Sequence, residues 1–207
     1  MRLMLTPISQ HLGRPSEWIV RYAHLVREAG HVLDLAAGAG RHARYFLEHR
    51  HTVTAVDYAA DGLMDLDGRE NLTIVLADVE DLSLPLWSER FDGVVVTNFL
   101  YRPLLKKLPH MLTQNGVLLY ETFSDGQQEF GRPKNRDFLL KSGELLEFSS
   151  LGLQIVAYEC GIQSGVMPRV VQRIAAVNTV GPCKLGSFDE NDLFEASETI
   201  SRFGENF

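Results

Sequence analysis

HVLDLAAGAGRHARYFLEH, residues 31–49, decides the fold. His31–Leu35 is apolar around a single acid and reads as a short buried strand, while 41–49 reads as a helix. Between them lies Ala36-Ala37-Gly38-Ala39-Gly40, a turn in which glycine lets another molecule approach the backbone with no Cβ in the way. A strand that turns tightly into a helix presents unpaired N–H groups and the positive end of the helix dipole. Such a turn is a ligand cradle or simply a tight connection, and glycines alone do not separate the two.

Outward from this unit the chain alternates strand-like and helix-like segments. Toward the N-terminus, residues 15–29 form an expected amphipathic helix, with Ser16 as cap, Trp18, Tyr22, Leu25, Val26 and Ala29 on one face, and Gly30 as stop. Toward the C-terminus, Val53–Val56 is a strand closed by Asp57, Leu72–Leu76 one closed by Asp78, and Phe91–Thr97 a fourth. A helix is expected over 103–113, then a turn at Asn115-Gly116, a fifth strand over Val117–Glu121 and a helix over 143–150. Leu153–Glu159 and Val170–Val177 follow with no helix between them, which predicts an antiparallel hairpin at the sheet edge. The pattern is that of an α/β fold: a three-layer Rossmann-like sandwich with a mostly parallel seven-stranded sheet and an antiparallel edge strand. One domain over residues 1–178 and an acidic C-terminal tail over 179–207 are expected.

Composition sets outer bounds. The chain has 207 residues, 45% hydrophobic and 23% charged, ordinary values for a globular domain. A net charge of −7 repels a phosphate backbone, so no nucleic-acid partner is expected. Much of the acid excess sits in the tail, with Asp189, Glu190, Asp192, Glu195, Glu198 and Glu205 against Lys184 and Arg202. The apolar runs fall far short of the ~20 residues that cross a bilayer, so no membrane span is expected. MRLMLTPISQHLG lacks the apolar core and cleavage site of a signal peptide. Cys160 and Cys183 are too few for a disulfide framework, and a cytoplasmic location is the expectation. Assembly is expected to be monomeric or homodimeric.

The acids around the turn sharpen its reading. In a doubly wound sheet Asp57 lies beside the Gly-rich turn, placed to accept from both hydroxyls of an adenosine ribose. Asp78 is placed to take the exocyclic amine of an adenine with Val79 beside the ring; alternatively it is an Asx turn. Asp34 would repel a pyrophosphate and suits a ligand with a cationic end. Gly38-Ala39-Gly40-Arg41-His42-Ala43 fits G-x-G-x-x-A, so a nicotinamide dinucleotide is not excluded by glycines. S-adenosylmethionine, with no phosphate, a positive sulfur and an ammonium, fits Asp34 better.

With these pieces in place the chain resembles the class I S-adenosylmethionine-dependent methyltransferases over about residues 15–178. VLDLAAGAG resembles their first motif, VTAVD the acidic second, LADVEDL the third, FDGVVVTN the fourth and GVLLYETF the fifth-strand motif. GRHARYFLEHRHTVTAVD and YETF…FGRPKNRDFLLKSGEL are similar to small bacterial methyltransferases of the tellurite-resistance-like type. Ala36 stands where the broad family often has glycine. The resemblance implies cofactor contacts at Asp34, Ala36, Gly38, Gly40, Asp57 and Asp78, adenine flanked by Ala77 and Val79, and Thr97 or Asn98 facing the methionine end. Arg41 is a candidate for the methionine carboxylate or an ordinary surface arginine.

The implied reaction is methyl transfer to a small-molecule acceptor. Such an in-line displacement needs orientation more than chemical assistance. Asn98-Phe99-Leu100-Tyr101-Arg102-Pro103 is not the Asn/Asp-Pro-Pro-Tyr motif of amino-group methylases on DNA or proteins. The catalytic candidates are Tyr101, to orient or deprotonate an acceptor; Arg102, to anchor a carboxylate or oxyanion; and Glu121, facing the same crevice. Each has a plain alternative: packing aromatic, solvated cation, partner of a nearby arginine. Residues 123–141 read as a lid in which Phe130, Arg132, Lys134 and Arg136 cover the acceptor. Trp18 and Tyr22 either close the pocket's other side or belong to the core. His42, His49 and His51 invite a metal reading, but His49-x-His51 lacks a third nearby ligand and the histidines read as solvated, so no metal is expected. A nicotinamide-dependent oxidoreductase and a non-catalytic cofactor-binding module acting through a partner are the competing functions.

Overall fold

The computed structural model describes residues 13–59, 61–165 and 167–183. The first twelve residues and all but the start of the acidic tail lie outside them. Seven strands form one sheet: β1 (His31–Leu35), β2 (Thr52–Asp57), β3 (Leu72–Leu76), β4 (Phe91–Thr97), β5 (Leu112–Phe123), β6 (Gln154–Gln163) and β7 (Arg169–Val177). Their spatial order is β3-β2-β1-β4-β5-β7-β6. Pairings from β3 through β5 are parallel, and β7 is antiparallel to both β5 and β6. The expected hairpin therefore forms that edge, with its reversed strand one position in.

Alternation along each strand feeds two cores. Leu33, Leu35, Val94, Val96, Leu118, Tyr120, Ile174 and Ala176 face one way, against Trp87, Leu104, Met111 and Phe148. Val32, Val53, Ala55, Val95, Val117, Leu119 and Ala175 face the other, against Trp18, Ile19, Ala43, Phe46, Leu63 and Leu66. Because both faces are covered, the central strands read as continuous apolar runs rather than alternating ones.

The covering layers are more broken than the sequence predicts. The helix expected over 15–29 is α1 (Glu17–Tyr22) followed by a 3₁₀ turn at Ala23–Leu25, after which Val26 is extended. Ser16 does cap it, its hydroxyl accepting from Trp18 N at 3.2 Å. The segment 41–49 folds as α2 (Arg41–Glu48). The helix expected over 103–113 breaks into α3 (Arg102–Leu105) and a 3₁₀ turn at Leu108–Met111. Pro109 has no N–H to continue an α-helical ladder, so the apolar periodicity survives while the helix does not. β5 then starts at Leu112, and Asn115-Gly116 is accommodated inside the strand where the register shifts between Phe91 and Gly93. The 143–150 segment is a 3₁₀ stretch, Glu144–Ser149. Among the described residues, no helix is long and apolar enough to cross a membrane.

Candidate active site

The chain winds outward from β1 to β3 on one side and from β4 onward on the other, so a crevice opens above β1 and β4 at their carboxyl ends. Leaving β1, the backbone takes a positive φ at Ala36 (55°), Gly38 (56°) and Gly40 (69°), the last capping α2. A Cβ on Gly38 would point into open space, so the turn presents bare backbone to the crevice. Parallel pairing of β1 with β2 brings Asp57 alongside. Its Oδ2 accepts from Gly38 N at 2.7 Å and its Oδ1 from Ala59 N at 3.1 Å. A carboxylate oxygen accepts more than one hydrogen bond, which leaves capacity on both for two ribose hydroxyls.

Asp34 points from β1 into the α2 side, where its carboxylate accepts from Ala43 N at 2.9 Å. It is 1% exposed. Burial drives its pKa up to about 7, against the pull of the Ala43 N–H and the Arg41 charge. An added cation beside it would favour the ionised form. Asp78 is exposed beyond β3 and makes an Asx turn, Oδ1 accepting from Glu80 N at 2.9 Å. Ala77 is half-buried and Val79 buried beside it. Arg41, held below its ordinary pKa chiefly by burial, donates to the Thr97 hydroxyl at 3.4 Å and to Arg14 O at 3.3 Å. The donor set fits a ligand with ribose hydroxyls, an adenine amine and a cationic end: bare turn, acids at three strand ends and an arginine next to Thr97.

Asn98 follows β4 in a left-handed conformation (φ 54°), its N–H donating to Glu121 O at 3.0 Å. That bend carries Phe99 and Leu100 across the strand ends to a cavity of about 430 Å³. Asn98, Phe99, Leu100, Thr122 and Phe123 line it from the sheet, Glu80 from the turn after β3, and Arg132, Pro133 and Phe138 from the 123–141 segment. The segment thus reaches the cavity as a lid would, although Phe130, Lys134 and Arg136 are not part of its wall.

The catalytic candidates fare differently. The Arg102 guanidinium grips Glu144 through Nε and Nη2 (2.7 and 3.0 Å) and also donates to Asp137 O and Leu139 O, both at 2.7 Å. With four of its five N–H donors spent on this clamp, Arg102 is a structural anchor. Glu121 is fully buried, paired with Arg169 and Arg173 at 3.2 Å each, and accepts from Ser16 Oγ at 3.0 Å. It occupies the position of an arginine partner. Tyr101 packs half-buried against the β4–β5 core. Trp18 is core, its indole donating to Ile174 O. His49 is exposed as expected, whereas His42 and His51 are buried, the latter packed on Phe46.

Several contributors were not singled out by the sequence reading as parts of the site. Gly62, after β2, lies so close over the turn that a Cβ would meet Ala39 Cα at 2.6 Å and Gly38 O at 2.8 Å. Tyr120 donates to Phe99 O at 2.8 Å and fixes the cavity floor. His42, buried, accepts from Ser16 N at 3.1 Å and neighbours Thr97 Oγ1 at 3.4 Å. Gln127, also buried, accepts from Val170 N and donates to Arg132 O, tying the lid segment to β7. Such contacts join residues far apart in sequence, which is why no local pattern announces them.

Residues 32–116 match the family model described as methyltransferase domain. No curated protein matches the sequence. Among solved structures the chain is similar to TehB from Haemophilus influenzae, with a TM-score of 0.65 and 19% identity over 79% of this chain. It spans 62% of the TehB chain. It is also similar to 1,6-didemethyltoxoflavin-N1-methyltransferase from Burkholderia thailandensis, a structure with 1,6-didemethyltoxoflavin and S-adenosylhomocysteine bound (TM-score 0.60, 24% identity, 78% of this chain and 76% of that one). A third is the N-methyltransferase NodS from Bradyrhizobium japonicum WM9 (TM-score 0.57, 15% identity, 77% and 95%). These likenesses establish the fold.

Proposed function

We propose that this chain, whose residues 32–116 match the family model described as methyltransferase domain, transfers a methyl group from S-adenosylmethionine to a small-molecule acceptor. The observation that carries the reading is a juxtaposition. The acid-flanked turn leaves β1, and the lid-covered cavity opens beyond the end of the neighbouring strand β4, where Asn98 lines its wall. A module that only held the cofactor would have no use for the second space.

When bound, S-adenosylmethionine supplies a methyl on a positive sulfur; its C–S bond breaks with the electron pair kept by sulfur as the acceptor's lone pair takes the carbon. Asp57 holds the ribose hydroxyls, Asp78 the adenine amine between Ala77 and Val79, and Ala36, Gly38 and Gly40 shape the turn along which the ligand lies. Asp34 supplies negative charge toward the ammonium, and Arg41 with Thr97 and Asn98 receives the methionine end. Lid and cavity wall hold the acceptor in line, a contribution of ~7–11 kcal/mol from orientation alone. With Glu121 paired, Arg102 committed and Tyr101 packed against the core, the acceptor's proton passes to solvent. Free Cys160 and Cys183 suit a reducing cytoplasm, where the protein works as a monomer or homodimer.

The test is a thermal-shift titration with S-adenosylmethionine, S-adenosylhomocysteine, NAD and NADH. Ligand at 100 times its Kd stabilises by ~2.7 kcal/mol. Shifts with the two adenosyl sulfur compounds, absent in Asp57→Ala, are expected; a shift with NAD or NADH alone would overturn the reading in favour of an oxidoreductase.

A further inference from the structure

The geometry points to an aromatic carboxylate with a ring amino or hydroxyl group as the methyl acceptor. The proposal rests on the methyl-transfer reading of the same crevice. Phe99, Phe123 and Phe138 line the cavity together with Leu100 and Pro133, so its apolar surface is dominated by flat rings. At about 430 Å³ it admits a substituted ring and not a polymer. Planar aromatic walls gain most from a planar aromatic guest through offset stacking or edge contacts.

The charges in the wall define the substituents. Arg132 is exposed on the cavity rim and its guanidinium makes no ion pair or hydrogen bond among the described residues. Arginines of the lid, of α3 and of the hairpin are paired: Arg136 with Asp125, Arg102 with Glu144, Arg169 and Arg173 with Glu121. In a chain of net charge −7, an anion needs such a local cation to be held at all. A guanidinium presents paired donors that match a carboxylate. Glu80, on the β3 side of the same cavity, is also exposed and makes no ion pair among the described residues, Arg132 included. A carboxylate there accepts from an N–H or O–H on the guest and disfavours a second anion. The ring nitrogen or oxygen substituent is then the methyl acceptor: its lone pair forms the new C–N or C–O bond, and its proton goes to solvent.

The test is calorimetric binding of 2-aminobenzoate, 4-aminobenzoate, salicylate and 4-hydroxybenzoate, each compared with its neutral amide and with cyclohexanecarboxylate, after the affinity for S-adenosylhomocysteine has been measured separately. Binding is expected for at least one aromatic acid on the S-adenosylhomocysteine-saturated protein. Its amide and the saturated ring should bind about tenfold more weakly or worse. Arg132→Gln should cost the acid about tenfold and leave the amide unchanged, while Phe138→Ala should weaken both. Both residues are exposed, and circular dichroism and an unchanged affinity for S-adenosylhomocysteine verify that the variants are folded. Binding of S-adenosylhomocysteine with none of the four acids bound, or with acid and amide bound equally, overturns the acceptor proposal and leaves methyl transfer standing. Failure to bind S-adenosylhomocysteine removes the methyl-transfer reading, and with it the acceptor assignment.

Discussion

Gly62 shows how a single residue can matter to the site without taking part in it. Its Cα sits against the backbone of Ala39 and Gly38, and a backbone cannot rotate away as a side chain would. Gly62→Ala should therefore lift the loop after β2 off the turn and weaken S-adenosylhomocysteine binding at least tenfold, with a stability loss of about 1–3 kcal/mol in urea titrations. An alanine variant that binds normally would mean the loop yields freely. Gly38→Ala differs: nothing obstructs its Cβ, so the cost is conformational, about 1–2 kcal/mol for a left-handed alanine, plus whatever the ligand loses as the methyl enters its space. Gly38, Gly40 and Asp57 were legible in the sequence because their spacing is set by one strand–turn–helix unit and one parallel pairing. Gly62 was not, because its neighbour is reached only through tertiary folding.

At the scale of elements, the strands were readable and their coverings were not. His31–Leu35, Leu72–Leu76 and Phe91–Thr97 form as read: the central β1 and β4 announce themselves as short apolar runs, and the edge strand β3 as a β-branched one. The helices over 15–29 and 103–113 shorten because apolar periodicity reports which face is buried, not whether the hydrogen-bond ladder continues. The lid segment is the reverse case: predicted from length and composition alone, it turns out to be pinned at defined points. Arg102 holds its distal part through Asp137 O and Leu139 O, and Gln127 and Gln172 tie it to β7. Arg102→Gln should free that part and leave Glu144, largely buried, without its partner, at a cost of about 1.5–3 kcal/mol. Limited proteolysis should then cut within 132–141 markedly faster than in the parent protein, with S-adenosylhomocysteine affinity little changed. Equal cleavage rates would show that the glutamine ties suffice.

For the whole molecule, two buried groups on the α2 side of the sheet set opposing responses to pH. His42, pushed down to about 3 mainly by burial, stays neutral in the fold, whereas an unfolded histidine takes a proton near 6.5. Between those values the unfolded chain binds the extra proton, so His42 makes stability fall as pH drops. Asp34, raised to about 7 mainly by burial, holds a proton in the fold that the unfolded chain releases near 3.8. Its contribution makes stability fall as pH rises from about 4 to 7. From about pH 4 to 6.5 the two slopes, each up to about 1.4 kcal/mol per pH unit, have opposite sign and largely cancel. Removing either group should unmask the other. Relative to the parent protein, Asp34→Asn should gain stability as pH rises through that window, and His42→Gln, which keeps an acceptor for Ser16 N, should lose it. Urea unfolding at half-unit pH steps measures both, and curves that run parallel to the parent's would refute the compensation. Asp34→Asn also tests the site: an ammonium bound beside Asp34 would favour its ionised form, so in the parent protein S-adenosylmethionine should bind more tightly from pH 6 to 8, a rise the asparagine variant should lack.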